Sequence, residues 1–139
     1  MKKTEIRNFI QSIADVKVSF KKEGYWYDNE KETINVDLSD LEDMGFMRHL
    51  REVHKCKFAN EYSLTLWSIL HEIGHYYTLD DVEEDDEDDR VALALTTTAV
   101  AHNKKVQNRY FNMPSEWAAT EWAIDFIKDN RQYLTSLHI

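Results

Sequence analysis

The sequence predicts an α+β domain in which a small antiparallel sheet packs against about five helices. Apolar residues recur with the period of a helix in several segments, and short stretches near the N-terminus alternate apolar with polar residues. The chain has 139 residues, 42% of them hydrophobic, which is enough to enclose one core. We therefore predict a single domain spanning residues 1–139.

The N-terminal part is predicted to contain one helix and the whole sheet. Apolar residues at helical spacing predict the helix over residues 5–14. The alternation in residues 16–20 and the apolar segments 25–27 and 33–36 predict three strands. Because only short polar segments connect these strands, we expect an antiparallel meander.

Further helices are predicted from their capping residues and apolar stripes. Ser39 and Glu42 have the spacing of a capping box, before a helix that continues to about residue 53. Asn60 is the expected N-cap of the next helix, which ends near Thr78. Residues 91–102 are apolar enough for another helix, and Ser115 is expected to cap a last helix that runs to about residue 128.

The acidic character of the chain is concentrated in one segment. The net charge is −9, but residues 80–90 hold nine acidic residues and one basic residue, so the other 17 acidic and 16 basic residues give only −1. We interpret residues 80–90 as an exposed acidic loop. The alternatives are binding of Ca²⁺, mimicry of DNA, docking of a basic partner, repulsion of acidic substrates and a lid over the site. The chain has no basic stripe, which argues against direct binding of nucleic acid.

Cysteine content and hydropathy favour a cytoplasmic protein. Cys56 is the only cysteine, so no internal disulfide can form. The N-terminus lacks the uninterrupted apolar region of a signal peptide. No apolar run approaches the roughly 20 residues that span a bilayer. We expect no membrane partner, and the sequence leaves the oligomeric state open.

The stretch HEIGH, residues 71–75, has the pattern of a metal site on a helix. Histidines four residues apart lie about 40° apart around a helix, so His71 and His75 can bind one ion. Neutral imidazole suits Zn²⁺, which makes water easier to deprotonate, and Glu72 can then act as the general base. The alternative is a helix with two surface histidines. Apolar flanks and the internal Gly74 instead indicate a buried helix that a second element approaches closely.

A catalytic zinc needs a third protein ligand, and Glu116 is the predicted one. On a wheel of the last helix, Glu116 lies at the edge of the apolar stripe, whereas Glu121 and Asp125 fall on the solvent side. The alternative for Glu116 is a favourable interaction with the helix dipole alone. His102 is the reserve ligand, and His138 is the other downstream histidine.

Together with HEIGH, the pattern E-x-x-A-x-x-W-A at residues 116–123 resembles the ImmA/IrrE-type zinc metallopeptidases. The resemblance covers roughly residues 25–128. It implies a zincin-like fold, Zn²⁺ bound by His71, His75 and Glu116, and Glu72 as the base in peptide-bond hydrolysis. Family members with known roles cleave a DNA-binding repressor of a stress or mobile-element programme, which implies a protein substrate of that class.

Two features depart from the family pattern. Members often carry Leu-Met-Pro after the second motif, whereas residues 125–128 read Asp-Phe-Ile-Lys, and a long insertion with the acidic segment separates the two motifs. The second hypothesis is a catalytically silent module that binds a partner through the acidic segment, although such a module has no need of Glu72. The third is a hydrolase of a non-peptide amide.

Other side chains have candidate roles outside the two motifs. Three tyrosines could donate a hydrogen bond to a tetrahedral oxyanion, although packing is the simpler interpretation: Tyr76, Tyr77 and Tyr110. We interpret His49, His54 and Cys56 as structural residues. The resemblance to zincins also implies that the strand at residues 33–36 is a sheet edge that holds an extended peptide.

Overall fold

The computed structural model describes residues 2–39, 43, 45–79 and 104–137. In these residues the chain forms five α-helices and a three-stranded sheet, which confirms the α+β prediction. The helices are α1 (Lys3–Ile13), α2 (Phe46–Glu52), α3 (Leu64–Thr78), α4 (Lys104–Phe111) and α5 (Pro114–Thr135). The strands are β1 (Lys17–Ser19), β2 (Trp26–Asp28) and β3 (Thr33–Asn35). The predicted acidic loop at 80–90, the predicted helix at 91–102, His102 and His138 lie outside the described residues.

The sheet is mixed, so the predicted antiparallel meander is wrong. The strand order is β1-β3-β2, with β3 parallel to β1 and antiparallel to β2. The segment between β1 and β2 therefore bridges across the end of β3, where the buried side chain of Asn35 holds it. The Asn35 amide accepts a hydrogen bond from the Lys21 N–H at 2.9 Å and donates to the carbonyls of Lys21 and Gly24 at 2.9 and 2.6 Å. These bonds satisfy a polar group that would otherwise be costly to bury.

Strand β3 lies in the centre of the sheet, so the predicted peptide-binding edge at residues 33–36 is wrong. Both neighbouring strands pair with its backbone. Ile34 and Val36 are completely buried in the core. The edge strands are β1 and β2. Strand β2 contacts α3, where the rings of Tyr27 and Tyr76 meet edge to face with centroids 6.0 Å apart.

Two helices begin at residues other than those predicted. Asp43 accepts hydrogen bonds from the backbone N–H groups of Gly45 and Phe46 at the start of α2, at 3.0 and 2.8 Å, while Glu42 of the predicted capping box lies outside the described residues. Ser63, rather than Asn60, is the N-cap of α3 and accepts the capping hydrogen bond at 3.1 Å. In both cases a residue nearer to the first helical turn provides the acceptor. Helix α3 ends at residue 78, as predicted.

The last helix, α5, is longer than predicted. It begins at Pro114, with Met113 in place of Ser115 as the N-cap, and it reaches Thr135. The backbone departs from helical angles at Asn130, so the predicted end near residue 128 lies close to a kink.

The core is built around the contact between α3 and α5, which is the most extensive one among the described elements. Large side chains that are completely buried include Ile10, Ile34, Trp67, Leu70, Ile73 and Ile127. Within the described part of the chain, no helix combines the length and the apolar character that a membrane crossing requires.

Candidate metal centre

The buried face of α3 presents three side chains that could hold a metal ion. These are His71, Glu72 and His75, and one donor atom from each lies within 4.8 Å of the donor atoms of the other two. His71 and Glu72 are each only 7% exposed, so little solvent surrounds the group. The histidine spacing of one helical turn produces this convergence, as the sequence predicts.

Glu116 reaches the same point from α5. Its Oε2 atom lies 2.7 Å from Nε2 of His71 and 3.2 Å from Nε2 of His75. Glu116 is 3% exposed, which confirms its predicted place on the core side of the helix. The structure therefore brings together the three side chains predicted as ligands. Asp125 is exposed, and the Glu121 carboxylate pairs with His54 instead.

The approach of α5 to α3 depends on Gly74. A Cβ atom at this position would lie 2.4 Å from the carbonyl oxygen of Ala119 and 2.9 Å from its Cα. Atoms cannot approach so closely, so glycine is required at this helix spacing. The predicted close approach of a second element is confirmed. The contact lies between the two sequence motifs: Gly74 belongs to HEIGH and directly precedes His75, and Ala119 belongs to E-x-x-A-x-x-W-A, one turn after Glu116.

Opposing effects act on the carboxyl group of Glu116. Burial by itself would raise its pKa, because it removes the carboxylate from water. The charge of His75 and the hydrogen bonds from His71 and His75 outweigh burial and hold the pKa of Glu116 well below its ordinary value. Glu116 is therefore ionised at neutral pH, the form in which a carboxylate binds a cation.

Further side chains contact this centre. The Tyr110 hydroxyl donates a hydrogen bond to Oε1 of Glu116 at 3.0 Å. The Thr120 hydroxyl lies 3.1 Å from Nδ1 of His71 and donates to the backbone carbonyl of Glu116 at 3.0 Å. The ring of Phe46 packs edge to face against His71, with centroids 5.2 Å apart. Thr120 is not among the predicted site residues, although its position four residues after Glu116 puts it on the same helix face.

The other two tyrosines take part in packing. The ring of Tyr76 packs against Tyr27. The ring of Tyr77 stacks on Trp122 with centroids 5.1 Å apart, and its hydroxyl donates to the backbone carbonyl of Ile13. Of the three candidate oxyanion donors, Tyr110 is the one whose described contacts include the centre.

His49 and His54 form a separate histidine pair, with ring centroids 4.9 Å apart. His49 is hydrogen-bonded to Asn112 at 3.2 Å and His54 to Glu121 at 2.7 Å. Burial lowers the pKa of both imidazoles, that of His49 to about 4 despite the opposing hydrogen bond to Asn112. Both rings are therefore neutral at pH 7. The prediction of a solvent-facing Glu121 did not anticipate its bond to His54.

The geometry of the centre is the basis for a functional assignment, because sequence and fold comparisons supply none. No protein-family model, curated protein or solved structure matches the chain.

Proposed function

We propose that this protein is a zinc-dependent peptidase with a zincin-like fold, which hydrolyses a peptide bond in a protein substrate. The observation that carries the proposal is the convergence of Nε2 of His71 and Nε2 of His75 on one oxygen of Glu116, at 2.7 and 3.2 Å. The HEIGH and E-x-x-A patterns, which resemble those of ImmA/IrrE-type peptidases, support the same reaction. They also suggest a DNA-binding repressor as the protein substrate.

The donor set fits a zinc ion. Two imidazoles and a carboxylate are a known ligand set of catalytic zinc, whose tetrahedral ligand atoms lie roughly 3.3 Å apart at bond lengths of about 2.0–2.1 Å. The separations of 2.7 and 3.2 Å between Glu116 and the two histidines are of this order. His71, His75 and Glu116 would therefore hold the ion, with their helices fixed by the contact between Gly74 and Ala119.

The proposed hydrolysis requires one side chain that accepts and then donates a proton, and this side chain is Glu72. When bound, zinc supplies a Lewis acid that polarises a carbonyl oxygen and eases the deprotonation of water. Glu72 takes a proton from the attacking water as the water oxygen bonds to the carbonyl carbon. The same carboxyl group then gives this proton to the amide nitrogen as the C–N bond breaks. One water is consumed, and a carboxylic acid and an amine are released.

Replacing the base tests this proposal. Zinc-loaded wild type and Glu72→Gln are incubated with a library of proteome-derived peptides and with candidate repressor proteins, and the products are identified by mass spectrometry. We expect Glu72→Gln to keep its zinc and to lose about 10²–10⁴-fold in cleavage rate, the usual contribution of a general base. The matched control is Asp125→Asn, which removes an exposed carboxylate from α5 and should leave cleavage unchanged.

The competing hypotheses predict other results in the same experiment. A catalytically silent binding module would hold zinc and leave every peptide and protein intact. A hydrolase of a non-peptide amide would spare peptides and cleave small N-acyl amides in a reaction that requires Glu72. Peptide cleavage that persists at the wild-type rate in Glu72→Gln would contradict the assignment of the base.

A further inference from the structure

We infer that Thr120 is the positioning residue of His71: its hydroxyl holds Nδ1 of the ring, so that Nε2 faces Glu116 and can bind the metal ion. The inference deepens the proposed zinc site and rests on it. In this role Thr120 touches neither the substrate nor the ion, and it acts through the imidazole alone.

The contacts of Thr120 connect the two helices of the centre. The residue lies on α5 and is completely buried. Its hydroxyl oxygen lies 3.1 Å from Nδ1 of His71, on α3, and 3.0 Å from the backbone carbonyl oxygen of Glu116. One hydroxyl therefore contacts a predicted ligand on each helix.

In a neutral His71 ring, the form that binds a metal ion, the single hydrogen of the Thr120 hydroxyl decides which nitrogen carries the proton. When Thr120 donates to the carbonyl of Glu116, its oxygen can only accept at the other contact, so Nδ1 of His71 carries the hydrogen. The lone pair of the neutral ring is then on Nε2, the atom that lies 2.7 Å from Oε2 of Glu116. Two acceptors at this distance repel each other unless a proton or a metal ion lies between them. This arrangement is the one in which Nε2 binds a metal.

The Thr120 hydroxyl can also provide a hydrogen-bond partner for His71 when no metal is bound. The hydroxyl can rotate and donate to Nδ1 of His71, in which case Nε2 carries the hydrogen and donates to Glu116. A carboxylate or a backbone carbonyl at the position of Thr120 could only accept, and would favour one tautomer. Threonine therefore leaves neither nitrogen of the buried neutral ring without a partner in either form, which avoids the cost of an unsatisfied buried group.

Zinc affinity of Thr120 variants tests the inference. The dissociation constant is measured by competition with a chromophoric chelator at one fixed pH. Thr120→Val keeps the volume and removes the hydroxyl, and we expect its dissociation constant to rise about 10–100-fold, as for other outer partners of a metal ligand. Thr120→Ser keeps the hydroxyl and should remain within a few-fold of wild type.

A matched control lies on the same helix. Thr135 also donates its hydroxyl to the carbonyl four residues earlier, at 2.8 Å, but is exposed and remote from the centre. Thr135→Val should leave zinc affinity unchanged. Urea unfolding of the metal-free proteins measures any structural role of Thr120 separately, because a purely structural role lowers stability without changing the dissociation constant.

The possible outcomes separate the inference from the proposed function. Wild-type affinity in Thr120→Val, or an equal loss in Thr120→Val and Thr120→Ser, would overturn the role of the hydroxyl and leave the zinc site intact. Thr120→Ala removes the same hydroxyl from a smaller side chain and decides the question if Thr120→Val does not fold. Absence of zinc binding by wild type would overturn both the proposed function and this inference.

Discussion

The carbonyl oxygen of Ala119 lies where a side chain at Gly74 would begin, 2.4 Å from the position of its Cβ. This uncharged contact sets the spacing of α3 and α5 beside the centre. The two helices contribute different parts of the site, His71 and His75 from one and Glu116 from the other. The geometry of the polar groups thus depends on close backbone packing next to them.

Gly74→Ala should destabilise the protein, although this change usually stabilises a helix by about 0.5–1 kcal/mol. Overpacking of a filled site costs about 1–3 kcal/mol, and here the opposing atoms belong to the Ala119 backbone and cannot rotate away. We expect a net loss of about 1–2 kcal/mol in the free energy of unfolding, measured in urea, and weaker zinc binding as α5 moves outward. Ser68→Ala, at a half-buried position on the same helix, is the control and should leave zinc binding unchanged. An unchanged or higher stability of Gly74→Ala would refute the close contact.

Glu116→Ala should lose zinc, whereas Glu121→Ala should retain it. Glu116 is the carboxylate at the two histidines, while Glu121 pairs with His54 at 2.7 Å. Metal content after dialysis against buffer measures the difference. We expect Glu121→Ala to lower stability by about 1 kcal/mol, because His54 loses its partner. The opposite result, with zinc lost only from Glu121→Ala, would show that the third ligand is misassigned.

Tyr110→Phe should weaken zinc binding about tenfold, because an outer partner of a ligand is removed. The hydroxyl of Tyr110 donates to Oε1 of Glu116 at 3.0 Å and holds the carboxylate in place. Tyr76→Phe removes a hydroxyl from a ring that packs against Tyr27 and serves as the control. The two dissociation constants are measured by chelator competition, and equal values for both variants would count against this role of Tyr110.

The free energy of unfolding should decrease as the pH is lowered, because His49 is buried in its neutral form. Burial lowers the pKa of the folded imidazole to about 4, from 6.5 in the unfolded chain. The unfolded chain therefore takes up the proton first as the pH falls. The stabilisation is fully present above pH 6.5 and is lost progressively between pH 6.5 and about 4. Between pH 6.5 and about 4, the free energy of unfolding should therefore decrease by about 3 kcal/mol on account of His49.

Urea unfolding of metal-free protein at neutral pH and at a pH inside this window measures the loss. In His49→Gln the pH dependence should be shallower, by up to the contribution of His49. Some dependence should remain, because burial lowers the pKa of His54 as well. Identical pH dependence in wild type and His49→Gln would contradict a neutral, buried His49.

The candidate centre was largely predictable because each of its side chains is placed by the periodicity of its own helix. The spacing of His71 and His75 and the place of Glu116 on its helix follow from the period of an α-helix alone. Gly74 indicated a close helix contact before its partner was known. Thr120 and the pairing of His54 with Glu121 depend on which elements approach each other, and periodicity carries no such information.

The sheet was not predictable in the same way. Short polar segments between strands suggested hairpins, but β1 pairs with β3 and the segment after β1 crosses over. Asn35 holds that crossing through hydrogen bonds to Lys21 and Gly24. A polar residue in a predicted strand does not reveal a partner in another segment, so strand positions were correct while their order was not.

Calorimetric titration of zinc into metal-free protein tests the central claim most directly. His71, His75 and Glu116 should bind about one zinc ion per chain, the stoichiometry of a single three-ligand site. His71→Ala should abolish this binding, and His49→Gln, which changes a buried histidine outside the centre, should preserve it. Absence of zinc binding by wild type, or undiminished binding by His71→Ala, would contradict the account.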